Sequence, residues 1–204
     1  MRSHLGKLRV WSSGGGPCPD DLLALGNDVW TADKPEHENG LKILGTPLGK
    51  PAYVEQFVNE RMHKENCFLG KLLKMTDLQC AWIMLSFSAV PRANHMIRMV
   101  PPSSVHGYAE SHDLAIWTTF CKLLGAEPLQ YDLLARDISS MPARLGSLGL
   151  RSASRCSPGA FWVSWANALP VIKSKLPALA NNIVQNLEST SVFGCIREAS
   201  TASI

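Results

Sequence analysis

The sequence predicts a mainly α-helical protein with a small β-containing part at its N-terminus. Three observations carry this. The first fifty residues hold only short apolar runs, cut apart by glycine and proline. From Gly49 onward, apolar residues recur at helical spacing. The composition of the 204 residues, 46% hydrophobic and 18% charged, is that of a chain able to bury a core.

The elements follow in order. Leu8-Arg9-Val10-Trp11 is a strand candidate, closed by Ser12-Ser13-Gly14-Gly15-Gly16-Pro17. Asp20 to Gly26 makes a brief helix with an acidic start and a glycine stop. Val29-Trp30 and Leu41-Lys42-Ile43-Leu44 are further strand-length pieces. Pro51 suits the first turn of a helix running to about Met75, with Val54, Val58, Met62, Leu69 and Leu72 on one apolar stripe. Thr76-Asp77-Leu78-Gln79 matches a capping box with Thr76 as the cap. The helix it starts is apolar nearly all round, so Trp82, Leu85 and Phe87 are expected to be buried at the structural centre. Pro91 should kink or split that helix before Met96 to Val100.

Pro101-Pro102 is a hard break, after which a helix runs from about Ser104 to Leu124 and stops at Gly125. Leu129 to Ile138 is a weaker helix candidate. Ser157-Pro158 is expected to open another, with Ser157 as cap and Pro170 as an interruption. Pro177 to Leu187 completes the helical part. Four segments result: residues 1–49 with the β elements, 50–127 and 128–188 helical, and a disordered tail over 189–204.

Composition restricts function more than it suggests one. A net charge of +3 permits a nucleic-acid partner without requiring it. The six cysteines form no CxxC pair, and the six histidines show no HExxH spacing, so no metal site is expected. Gly14-Gly15-Gly16 lacks the Lys-Ser/Thr of a phosphate-binding loop. The longest uncharged run, Leu78 to Val90, is too short to cross a bilayer, which takes ~20 residues. With no signal-like N-terminus, the expectation is an intracellular protein with neither a membrane nor a small-molecule partner.

Three stretches, taken together and in order, resemble the reverse transcriptase of non-LTR (LINE-type) retrotransposons. Leu5-Gly6-Lys7-Leu8-Arg9-Val10-Trp11 looks like that family's palm segment in which a lysine precedes a strand. Gly40 to Gly49, with Leu44-Gly45 at its centre, looks like the primer-grip hairpin. Met141 to Leu150 resembles an LPxxxGGLGL box beyond the thumb, with Ser147 where glycine is usual, and Pro91-Arg92-Ala93-Asn94 also recurs in such sequences. The resemblance implies a palm remnant, a helical thumb over 50–127 and a helical extension over 128–188.

It also implies RNA-directed DNA synthesis as the parent activity, with carboxylates holding Mg²⁺. In the family these precede the lysine segment, and this chain begins at Met1. The expectation is therefore a non-catalytic downstream portion with no cofactor of its own. Its partners would be an RNA/DNA duplex and a separate palm segment. Asp20-Asp21 is the only adjacent acidic pair, and it reads as the acidic start of a helix.

Several cations are candidates for phosphate contact. By resemblance, Lys7 would lie near the incoming triphosphate. Arg61, Lys64, Lys71 and Lys74 fall within an arc of roughly 140° on the first long helix and could track a duplex backbone, or form an ordinary solvated face. Four such contacts give a salt slope of about −3 to −4. Arg92 and Arg98 could contact phosphate or cap helix ends, and Arg144, Arg151 and Arg155 surround glycines that could instead serve a tight turn. The competing class is a helical interaction protein with no nucleic-acid role.

Overall fold

The computed structural model describes residues 8–127 and 133–188 and divides the chain into two compact units, Met1–Glu60 and Arg61–Ile204. The expected tail over 189–204 lies outside the described residues. The mainly α fold with a small N-terminal β part is what the structure shows.

In the first unit, α1 spans Asp20–Leu23. The two strand candidates before residue 31 reduce to a single parallel bridge, Val10 to Trp30. Glycine and proline cut both runs short, so no ladder extends from it. Side chains supply what the ladder does not. Buried Asn39 donates through Nδ2 to the Ala32 carbonyl at 2.8 Å and accepts from Trp11 Nε1 at 2.7 Å. Trp30 Nε1 donates to the Gly16 carbonyl at 3.1 Å.

Strands β1 (Gly40–Ile43) and β2 (Thr46–Gly49) form an antiparallel hairpin in which Gly40 faces Gly49 and Ile43 faces Thr46. Its two-residue turn places Leu44 at φ 49° and Gly45 at φ 88°. Positive φ at both central positions is the turn whose twist matches a hairpin, and it ordinarily selects Asn, Asp or Gly rather than Leu. At the base, a Cβ on Gly40 would sit 2.3 Å from the Tyr53 ring, and one on Gly49 2.5 Å from the Asn39 carbonyl. Tyr53 thus closes on bare backbone.

Helix α2 spans Pro51–Leu72 and buries Val58, Leu69 and Leu72, as its stripe predicts. In the second unit, Leu69 and Leu72 join Leu85, Ala89, Val90, Ile116 and Leu150 in one core cluster, with Trp82 and Phe120 packed against it. Those two rings stand 5.7 Å apart at 60°.

The next stretch splits at Pro91 as expected, and differs from expectation in its cap, in a π-helical turn ahead of the proline and in what it buries. Its cap is Asp77, not Thr76: the Asp77 carboxylate accepts the Gln79 and Cys80 amides at 2.8 and 3.0 Å. These bonds, the Cys80 one foremost, hold its carboxyl below the usual range. The helix is not uniform either. Helix α3 (Leu78–Met84) passes into a π-helical turn (Leu85–Ala89), a 3₁₀ turn through Pro91 (Val90–Ala93) and α4 (Asn94–Met99). Widening and then tightening the winding carries the chain past a proline that has no N–H to give. Last, only one side of this stretch is covered. Ala81, Leu85 and Ala89, four apart, face inward, whereas Phe87 is 77% exposed and Trp82 only half-buried.

Helix α5 (Pro102–Leu123) begins on proline and ends before Gly125 at φ 69°, and α6 spans Leu133–Ser140. Helix α7 (Ala153–Lys175) starts four residues before the expected Ser157 cap and runs through both Pro158 and Pro170. Ser152 caps it locally, its hydroxyl oxygen accepting Arg155 N at 3.2 Å, and a second determinant lies on another helix. Buried Asp113 on α5 accepts Ala153 N at 2.7 Å and Ser154 N at 3.1 Å, and the Ser152 and Ser154 hydroxyls at 2.7 Å each. A carboxylate at a helix start satisfies orphan amides and complements the helix dipole. Helix α7 then packs on α4, α5 and α8 (Pro177–Glu188).

Candidate nucleic-acid interface

The segment that begins at Arg61 divides its charges between two faces. Lys64 and Lys71 lie about 20° apart around the α2 axis and two turns apart along it, both exposed. Lys74 follows in the turn that ends the helix and is exposed as well. None of the three makes an ion pair among the described residues, so their ammonium groups remain available to an anionic partner.

Arg61 does not join them. Its Nη2 donates to the Arg92 carbonyl at 3.0 Å, and its Nε lies 3.3 Å from Glu65 Oε1. Arg92 is likewise committed, with its guanidinium 4.0 Å from the Phe68 ring centroid. Stacking of a guanidinium on an aromatic face is a packing contact as much as an electrostatic one. The proposed stripe of four cations therefore contracts to three lysines.

Arg98 lies apart, on α4, exposed and 3.4 Å from Ser164 Oγ. Lys7 lies outside the described residues. In the first unit, Leu44 and Gly45 form the hairpin tip, and the Leu44 side chain is 94% exposed. Arg155 pairs with Asp137 at 2.6 Å, while Arg144 and Arg151 are exposed. The glycines among them act as turn residues: Gly146 and Gly149 have φ 80° and 69°, and Gly149 N donates to the Met141 carbonyl at 3.0 Å. Ser147, in the place of a usual glycine, donates to the Ile138 carbonyl.

Glu65, one position along the chain from Lys64, lies inside. It is 3% exposed, accepting the Tyr108 hydroxyl at 2.6 Å and His112 Nδ1 at 2.8 Å. Burial, the largest single influence, raises its pKa; the His112 and Tyr108 hydrogen bonds and the charges of His112 and Arg61 outweigh it. The carboxyl ends below its ordinary value. Since an ionised carboxylate only accepts, His112 donates from Nδ1. Its buried Nε2 has no partner among the described residues. Burial and the Glu65 charge push the Tyr108 phenol well above its ordinary range. A signal for this cluster was present. Val58, Glu65, Leu69 and Leu72 share one stripe of α2, so Glu65 sits in line with core positions.

Among the described residues, no three His, Cys, Asp or Glu side chains gather where they could hold a metal ion. Asp20 and Asp21 are exposed on the four-residue α1. The Cys80 thiol is pushed up by the Asp77 carboxylate, which makes it a weak nucleophile. No helix of the described chain is long and apolar enough to cross a membrane. Comparison with family models, with curated proteins and with solved structures finds no match in any of the three.

Proposed function

We propose that this chain is the downstream, non-catalytic portion of a non-LTR reverse-transcriptase-like protein, and that it touches the phosphate backbone of a nucleic-acid duplex. The observation that carries the contact is the exposed set Lys64, Lys71 and Lys74, on the second half of α2 and the turn after it, with no ion pair among the described residues. The ordered boxes in the sequence support the family reading, and the tight hairpin over Gly40–Gly49 is compatible with a primer-grip-like turn. Ammonium groups on long stems hold phosphates as point charges, without base information, so binding is electrostatic and indifferent to sequence.

Three phosphate contacts give a salt slope of about −2.7 on double-stranded DNA, at roughly −0.9 per neutralised phosphate. Lys71→Ala with Lys74→Ala should flatten it by about 1.8. Fluorescence anisotropy of a labelled duplex across a salt series measures both slopes. Equal slopes, or no binding at low salt, refute the duplex reading and leave a helical interaction protein.

A further inference from the structure

A groove runs along the second unit between α4 and the first half of α7, with a volume of about 470 Å³. A neighbouring hollow of about 580 Å³ shares Asn94 and Arg98 with it and extends it toward Ser164 and Asn167. Three guanidinium groups, Arg98, Arg151 and Arg155, stand on the groove, and its floor is aliphatic, including Ile97, Ala160 and Val163. No carboxylate lines either hollow, no aromatic residue lines the groove itself, and His95 is the one ring lining the neighbouring hollow. Arg155 has Asp137 beside it, but Arg151 has no ion-pair partner among the described residues, and Arg98 meets only a serine hydroxyl. Val163 and Met99 leave about half of their apolar surface in water, 47% and 50% exposed.

We propose that this groove docks an acidic, apolar-studded peptide segment of a partner protein. The charge complementarity is one-sided: arginines without balancing acids along the groove suit a row of carboxylates, which the planar guanidinium binds in pairs of hydrogen bonds. The aliphatic floor suits Leu or Ile side chains spaced along the same segment, the arrangement of an amphipathic helix laid in a groove. Single-stranded nucleic acid fits the charge but not the floor, because its bases bind by stacking on a series of rings, whereas the floor is aliphatic and His95 in the neighbouring hollow is the single ring. The groove is also of the size that seats a ligand of specific shape, ~300–1,000 Å³. The inference does not rest on the duplex reading, which uses a different helix and different cations.

The test uses the full chain and a fluorescein-labelled peptide in which Leu alternates at helical spacing with Glu and Asp. A control peptide carries Gln and Asn in place of every carboxylate. The expected result is micromolar binding of the acidic peptide and at least about tenfold weaker binding of the control. Arg98→Glu with Arg151→Glu should weaken the acidic peptide about tenfold, Val163→Asp should weaken both peptides, and Lys71→Ala with Lys74→Ala should change neither. Far-UV circular dichroism verifies the fold of each variant. Should the double charge reversal not fold, Arg151→Gln alone serves, since that side chain is exposed, and a several-fold loss is expected. No binding by the parent, equal binding by parent and arginine variants, or displacement of the peptide by oligothymidylate at a lower concentration than by unlabelled peptide overturns the proposal.

Discussion

Replacing Glu65 by Leu tests the buried cluster that organises α2 against α5. The substitution removes the acceptor for two buried donors, Tyr108 Oη at 2.6 Å and His112 Nδ1 at 2.8 Å, and the charge beside Arg61 Nε at 3.3 Å. Each stranded donor costs about 1–3 kcal/mol in lost solvation, and breaking a buried charged pair by removing one member costs about 3–5 kcal/mol. The expected loss is therefore about 3–5 kcal/mol. At a urea dependence of ~1–3 kcal/mol per molar, the midpoint of the second unit's transition falls by more than ~1 M. Combining Glu65→Leu with Tyr108→Phe and His112→Leu removes both stranded donors, leaving only Arg61 without its carboxylate, and should recover part of the loss. Urea titration followed by far-UV circular dichroism reads both effects. A Glu65→Leu midpoint equal to that of the parent, or a triple variant no better than the single, refutes the assignment of an ionised, satisfied carboxylate.

Other outcomes follow from the same geometry. Because the folded Glu65 carboxyl is held below its ordinary value, the unfolded chain binds the proton more tightly. Its contribution is full above about pH 4.3 and is lost as pH falls through the folded pKa, so the parent should weaken in acid more than Glu65→Gln does in urea titrations. The raised Tyr108 phenol works from the other end: its contribution is full below about pH 10 and is lost as pH rises from there, and Tyr108→Phe should remove that alkaline loss. Leu44→Gly should stabilise the hairpin by about 1–2 kcal/mol by relieving positive φ, and an unchanged or lower thermal midpoint counts against the turn as described. Phe87→Ser should shift stability by no more than about 0.5 kcal/mol, since the ring lies mostly in solvent, and a large loss would place it in the core. Asp113→Ala should cost about 2–4 kcal/mol and reduce helicity, through the amides of Ala153 and Ser154 left without an acceptor.

Local pattern made much of the fold legible. Helix α2 followed from Pro51 and its stripe, and α5 from the Pro101-Pro102 break and Gly125, because each is specified by residues within the element, whereas the hairpin over Gly40–Gly49 was expected only from the family resemblance. What escaped was specified elsewhere in the chain. Helix α7 begins at Ala153 because Asp113, on another helix, supplies acceptors beyond the local Ser152 cap, and it tolerates two prolines because neighbouring helices pack on it. Phe87 illustrates another limit: hydrophobicity names what a core will accept, not which side will be covered. At the candidate site, the exposed lysines were legible because a solvated helix face needs no partner. Arg61 and Arg92 were not, since their roles depend on a carbonyl and a ring brought near by the fold.

The Asp113 junction also bears on the order in which the molecule is assembled. It joins residues 39 to 41 positions apart, and bringing such ends together costs about 3 kcal/mol of chain entropy before any bond forms. During synthesis α5 leaves the ribosome well ahead of Ser152. Until those donors arrive, docking α5 would carry a carboxylate into the interior with nothing to receive it. Late formation of the α5–α7 seam is the expected outcome: in stopped-flow unfolding and refolding, Asp113→Ala should speed unfolding and leave the folding rate nearly unchanged, and an equal effect on the folding rate would place the seam early.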